Sequence, residues 1–380
     1  MEICIISDAF PTTDGKGGFF FVEQIVIQFA KKGHRCIVIA PINVATKFGI
    51  NKPYGEYMEV RTINNGETIT IYRPRYYARN LAFMGVSWLT YAPQCLIEKT
   101  IVAHNIHPDI FYCHFFKMAV PIWRYATKNK IPIFVATGES RISRIRKPCR
   151  SFTISTFRDS LAGVICVSTK NKKEAIALGY ANESSCQVFP NGVDLSIFHA
   201  YNQKECRLDL QIPQDDFVLM CVGNFNERKG QNRIIKAIQL LNNPHIKLIL
   251  AGRGEGIIDD SCLLYKGFIQ HDDLPKWLSA ANAYIIPTRL EGCCNSIIEA
   301  MACGLPIIST RGDFNQDILN QDNSILTDPD NITEISNAIN ELYHNRERLI
   351  KLSKNALSSA MALSIKERAN RILNFINENR

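Results

Sequence analysis

Short apolar runs of strand length alternate with helix-length amphipathic stretches along the whole chain. In the first half the runs fall at residues 3–7, 36–40, 110–113, 131–136, 163–167 and 186–189, and in the second at 217–222, 247–251, 263–266, 283–287 and 306–310. Between them the periodicity is helical. Over 19–32, for example, Phe19, Val22, Val26 and Phe29 recur at helical spacing and Gly33 supplies a stop. Strands that are apolar throughout, separated by helices, predict parallel sheets covered on both faces. Two such series predict two doubly wound α/β domains, 1–195 and 196–364, with a last helical segment near 365–380 as a candidate to pack back on the first. The joint falls in the polar stretch that opens Pro190-Asn191-Gly192-Val193-Asp194, where Asn-Gly is a turn signal.

The length of 380 residues agrees with two domains, and 46% hydrophobic with 21% charged residues is a globular composition. No run of about 18 apolar residues predicts a membrane span. The start lacks a basic segment and a cleavage site, so a cytoplasmic chain is expected. Thirteen cysteines raise the question of metal or disulfides. Cys4, Cys36, Cys113, Cys166 and Cys221 lie inside apolar runs, no Cys-x-x-Cys occurs, and Cys293-Cys294 has no partner set for zinc, so reduced buried thiols and no metal are expected. Charge is uneven: residues 1–195 hold 24 Lys and Arg against 14 Asp and Glu, the remainder 20 against 22. The basic half should meet something acidic. Nucleic-acid motifs of recognised type are absent, and no nucleic-acid partner is expected.

The strongest constellation runs from Glu291-Gly-Cys-Cys-Asn295-Ser296 through Glu299-Ala-Met-Ala-Cys-Gly-Leu-Pro306, after a buried strand. Asn295 or Ser296 can cap the helix that opens there, and a helix N-terminus is an anion site. The plainer alternative is a capped helix with a solvated Glu face. Second is Val222-Gly-Asn-Phe-Asn-Glu-Arg228-Lys229-Gly230, with two cations at the carboxyl end of a strand, where open α/β sheets bind ligands. A solvated basic turn would read the same. Third is the glycine loop Asp14-Gly15-Lys16-Gly17-Gly18, neither a Walker motif nor a dinucleotide fingerprint. His114 ends a buried strand, where a histidine is more often structural. Arg141, Arg144, Arg146, Lys147 and Arg150 form a basic cluster, joined by the run Tyr72-Arg-Pro-Arg75-Tyr-Tyr-Ala-Arg79.

Together these pieces resemble family 4 of the glycosyltransferases, over nearly the whole chain. The most specific part is the Glu-x7-Glu pair, Glu291 and Glu299, followed by Glu-Ala-Met-Ala-Cys-Gly-Leu-Pro. The resemblance implies the GT-B fold, two Rossmann-like domains facing across a cleft, and retaining transfer of a sugar from a UDP- or GDP-sugar without metal or other cofactor. It implies that Glu299 holds the donor ribose, that Glu291 lies near the transferred sugar, and that Arg228, Lys229 and the N–H groups at Asn295 and Ser296 bind the diphosphate. The loop at Gly17 and Gly18 would close over the phosphates, and His114 would stand on the acceptor side. Two departures are notable. Asn224 stands where many members carry Arg, which leaves the guanidinium to Arg228, and Thr137-Gly138-Glu139 replaces a His-Gly pair, which makes Glu139 the candidate substitute.

The expected acceptor is a glycan or lipid-linked glycan, in cell-surface polysaccharide or glycoconjugate synthesis, with peripheral contact to an anionic membrane. The alternatives are a non-catalytic sugar-nucleotide-binding protein and a sugar-nucleotide epimerase of similar fold.

Overall fold

The computed structural model describes the chain apart from residues 13–18, 48–54, 64–65, 80–81 and 84–85. It divides into two compact units, Met1–Phe189 with Ala369–Arg380, and Pro190–Arg368.

The first unit is built on an eight-stranded sheet in the order Cys186–Val188, Leu161–Cys166, Ile133–Thr137, Ile110–His114, Glu2–Ser7, Arg35–Ile39, Thr68–Tyr72, Met58–Thr62. All pairings are parallel except the last. The central strands are buried along almost their whole length, as a sheet covered on both faces demands. The two strands beyond Arg35–Ile39 were not expected. Met58–Thr62 is a partly exposed edge strand that alternates polar with apolar residues, so it presents no continuous apolar run.

Part of the basic-aromatic run at 72–79 has a different role from the expected one. Arg73 is 2% exposed. Its guanidinium donates to Glu59 Oε2 at 2.7 Å and to the Pro11 carbonyl at 2.9 Å. It ties the edge strand to the chain leaving the first strand and adds nothing to a basic surface. The last helix, Ile365–Asn379, sends Phe375 against this unit. The Phe375 ring lies 6.1 Å from Phe134 and 5.6 Å from Phe189.

The second unit holds a six-stranded parallel sheet, ordered Leu263–Gly267, Ile246–Ala251, Phe217–Val222, Ala283–Ile286, Ile307–Thr310, Ser324–Thr327. Strand order reverses beside Phe217–Val222, so the loops after Phe217–Val222 and Ala283–Ile286 flank the switch point where such sheets bind ligands. The division between the units falls at Phe189/Pro190 rather than after 195, because Val193 pairs with Ser364 inside the second unit. The stretch that follows forms the short helix Gln203–Asp209, and its buried Arg207 ties it to the chain on either side. Arg207 donates to the carbonyls of Ala280 (2.8 Å), Pro213 (3.2 Å), Gln214 (2.8 Å) and Asp216 (3.0 Å), and to Asn282 Oδ1 (2.7 Å). The guanidinium fork thus serves carbonyls of the segment after the helix and of the chain entering the strand Ala283–Ile286, which holds this segment against the sheet.

Candidate functional site

In the second unit, two loops at the carboxyl ends of Phe217–Val222 and Ala283–Ile286 bring charged groups together. The first turns through Gly223 and ends at Gly230, whose φ of +86° is reachable at little strain only without a side chain. A Cβ on Gly230 would also stand 2.7 Å from the Pro287 carbonyl. This tight turn delivers Arg228 and Lys229 to the second loop. Arg228 Nη1 lies 2.6 Å from Glu291 Oε1, and Lys229 Nζ lies 2.7 Å from the same oxygen. Thr288 Oγ1 donates to it at 3.1 Å, and Arg228 also donates to the Leu290 carbonyl. Lys229 and Glu291 are largely buried, with side chains 12% and 13% exposed. Burial works against the Lys229 charge, but Cys294 and the Glu291 carboxylate outweigh it and hold its pKa above the usual lysine range. The two cations thus share one carboxylate oxygen.

Beside them the helix Asn295–Ala302 begins, and here the expected cap is corrected. The cap residue is Cys294, and no side chain caps the first turn. The Ser296 hydroxyl is drawn into the sheet, 2.6 Å from Tyr284 OH and 3.3 Å from the Val222 carbonyl. The Asn295 side chain accepts from Asn191 Nδ2 at 2.6 Å, and that amide also donates to the Cys293 carbonyl at 3.1 Å. An N-terminus without a side-chain cap keeps its orphan N–H groups and the positive end of the helix dipole for an anion. Glu299, one turn in, lies 3.5 Å from His271 Nε2. The His271 pKa is raised, first by its hydrogen bond to Glu299, with burial opposing.

Three further features take their meaning from the structure. Asn191 belongs to a turn motif, but its partners lie about a hundred residues away and only folding reveals them. Arg253 stacks its guanidinium 3.9 Å over the half-exposed Phe268 ring, after the strands Ile246–Ala251 and Leu263–Gly267. An Asp-x-Asp pair, Asp328 and Asp330, follows Ser324–Thr327. Asp330 is engaged by Arg289 at 2.8 Å, and Asp328 Oδ1 accepts from the Asp330 N–H at 2.9 Å. Among the described residues, no three His, Cys, Asp or Glu side chains converge as a metal-ligand set.

In the first unit, His114 and Glu139 stand at the carboxyl ends of neighbouring strands, His114 in register with Ala136 and Glu139 two residues past Thr137. His114 is 3% exposed, its ring 5.1 Å from Tyr112 and 6.1 Å from Phe21. Glu139 Oε2 accepts from Thr137 Oγ1 at 2.6 Å and from the Gly138 N–H at 3.2 Å. Burial nevertheless raises its pKa above the ordinary carboxylate value, so it holds a proton more readily than a free glutamate. Lys117 pairs with Asp8 at the same edge of the sheet. The glycine loop at Gly17 and Gly18 lies outside the described residues.

Known proteins share both halves. The family described as Glycosyltransferase Family 4 matches residues 16–197, and that described as Glycosyl transferases group 1 matches 202–359. A Bacillus subtilis glycosyltransferase assigned to teichuronic acid biosynthesis, TuaC, is 25% identical over 370 residues, 91% of this chain and 90% of that protein. The UDP-Gal:alpha-D-GlcNAc-diphosphoundecaprenol alpha-1,3-galactosyltransferase of Escherichia coli is 27% identical over 194 residues, 46% of this chain and 50% of that one. Among solved structures, Anabaena HepE in complex with UDP has a TM-score of 0.71 at 16% identity over the full length of both chains, and its complex with UDP-glucose has a TM-score of 0.69. Two family descriptions that between them take in both units, and full-length likeness in fold to solved structures, lead to one conclusion: this chain belongs to family 4 of the glycosyltransferases and has the GT-B fold.

Proposed function

We propose that the enzyme transfers a hexosyl group from a nucleoside-diphosphate sugar, UDP- or GDP-linked, to a glycan or lipid-linked glycan, retaining anomeric configuration and needing no metal. The observation that carries this reading is the convergence of Arg228 and Lys229 on Glu291, next to a helix without a side-chain cap. A departing nucleoside diphosphate develops negative charge, and preorganised cations with a helix terminus can stabilise it as a divalent ion would. In this reading the cations exchange their shared carboxylate oxygen for phosphate oxygens when the donor enters. Glu291 is then released toward the sugar, and Glu299 accepts hydrogen bonds from the ribose hydroxyls. Gly17 and Gly18 serve as a phosphate-covering loop.

The acceptor belongs to the first unit, with His114 and Glu139 positioning its hydroxyl. Retention follows from attack on the face the diphosphate leaves, with a leaving phosphate oxygen taking the acceptor proton. The binding of UDP and UDP-glucose by HepE, and the diphosphoundecaprenol-linked sugar in the name of the Escherichia coli relative, support the donor and acceptor classes. The name of the Bacillus relative supports a role in cell-surface polysaccharide synthesis. Peripheral contact with an anionic membrane on its cytoplasmic side completes the reading. Turnover of a panel of UDP-, GDP- and ADP-sugars in excess EDTA, with NMR of the product's anomeric centre, is the test. Inversion, or turnover that stops in EDTA, would overturn it.

A further inference from the structure

The excess of positive charge in the first half of the chain meets a group of exposed aromatic rings. Trp88, the first residue of the helix Trp88–Ala103, is 47% exposed, and Tyr91, one turn on, is 41% exposed. Their rings are 5.7 Å apart. Trp88 Nε1 donates to the Tyr77 carbonyl at 3.2 Å, so the one polar atom of the indole is engaged and the remainder of the ring is left for an apolar neighbour. Tyr77 is itself 47% exposed and carries Arg79, whose Nε donates to its hydroxyl at 2.7 Å. The Ser87 N–H donates to the Lys147 carbonyl at 3.0 Å, which anchors the basic segment to the start of the same helix. Arg141, Arg144, Arg146, Lys147 and Arg150 are all exposed there.

A helix start needs no aromatic residues in water, and clustered exposed rings mark an interaction surface. Tryptophan and tyrosine favour the headgroup level of a bilayer, where one end is apolar and the other wet, and arginine forms charge-assisted bonds to phosphodiesters. Among the described residues no helix is long and apolar enough to cross a membrane, so the attachment in question is to a surface.

We propose that Tyr77, Trp88 and Tyr91, flanked by Arg79 and the exposed 141–150 segment, dock the first unit on an anionic phospholipid surface. This names the surface behind the peripheral contact in the functional reading and rests on that clause alone. The test is cosedimentation with vesicles of equal parts phosphatidylglycerol and phosphatidylcholine, and with phosphatidylcholine alone, at low and high salt. The enzyme binds the anionic vesicles at low salt, is released at high salt, and leaves the neutral ones unbound. Arg144→Gln with Lys147→Gln weakens binding about fivefold per charge removed. Trp88→Ala with Tyr91→Ala weakens it more than tenfold, while Trp88→Phe retains most of it. Sugar transfer to a water-soluble acceptor is unchanged in these variants, so a failure of the donor-site reading shows as lost turnover and leaves the vesicle result intact. Equal binding to both vesicle types, no binding to either, undiminished binding by the aromatic variant, or retention of a single-stranded oligonucleotide in place of vesicles would overturn the proposal.

Discussion

Lys229 Nζ and Glu291 Oε1 lie 2.7 Å apart, and that oxygen is the one Arg228 also holds. On the proposed function, this carboxylate holds the two cations that a diphosphate would take over. Glu291→Gln should therefore leave nucleoside-diphosphate affinity unchanged or tighter and lower turnover, whereas Glu299→Ala should weaken affinity. Titration calorimetry with UDP and GDP on both variants decides it. Equal losses of affinity would remove the assignment of roles.

On the proposed function, Arg228→Ala removes one preorganised donor from the departing diphosphate and should cost about 2–4 kcal/mol of transition-state stabilisation, read as a fall in kcat/KM. The wild-type rate should be the same with and without EDTA. A rate restored to the Arg228→Ala variant by added magnesium alone would be compatible with this, but a wild type that needs magnesium would not.

The His271–Glu299 pair predicts a pH dependence. The His271 pKa is raised in the folded chain, so its contribution to stability is full below the unfolded value of about 6.5 and is lost as pH rises through the folded value. The Tm difference between wild type and His271→Gln should be largest below about pH 6 and shrink toward pH 8. Scanning fluorimetry across that range checks it, and a pH-independent difference would separate the two residues.

Gly163 tests the packing of the last helix. A Cβ there would stand 2.6 Å from Phe375 Cε1 and 3.1 Å from Phe134 Cδ1, so Gly163→Ala should destabilise by about 1–3 kcal/mol. Phe375→Leu in the same chain should recover part of that loss. Urea denaturation of the single and double variants measures the coupling, and strict additivity would mean that the two residues do not meet.

Much of the architecture was legible because it rests on local rules. Runs such as 217–222 and 283–287 are apolar throughout, which only a strand buried on both faces requires, and their alternation with helices leaves little but parallel sheets. The loop ending Arg228-Lys229-Gly230 could be read as a candidate anion site because it directly follows such a strand. The strands Met58–Thr62, at the sheet edge, and Thr68–Tyr72, beside it, were hidden, since both alternate polar with apolar residues and neither presents a continuous apolar run. The cap of Asn295–Ala302 was misread for another reason. Ser296 and Asn295 have the chemistry of caps, but Tyr284 and Asn191 claim their side chains.

The sequence by itself thus determined the fold class, the two-unit order and the pool of charged residues at strand ends, because apolar periodicity and turn chemistry act between neighbours in the chain. Tertiary structure decided which of those residues meet. It placed Arg73 in the interior against Glu59 and Pro11, put Arg228 and Lys229 on a single oxygen of Glu291 some sixty residues away, and left Trp88 and Tyr91 exposed. Burial and charge pairing depend on which surfaces pack together, and composition and spacing carry no record of that until the sheets have formed.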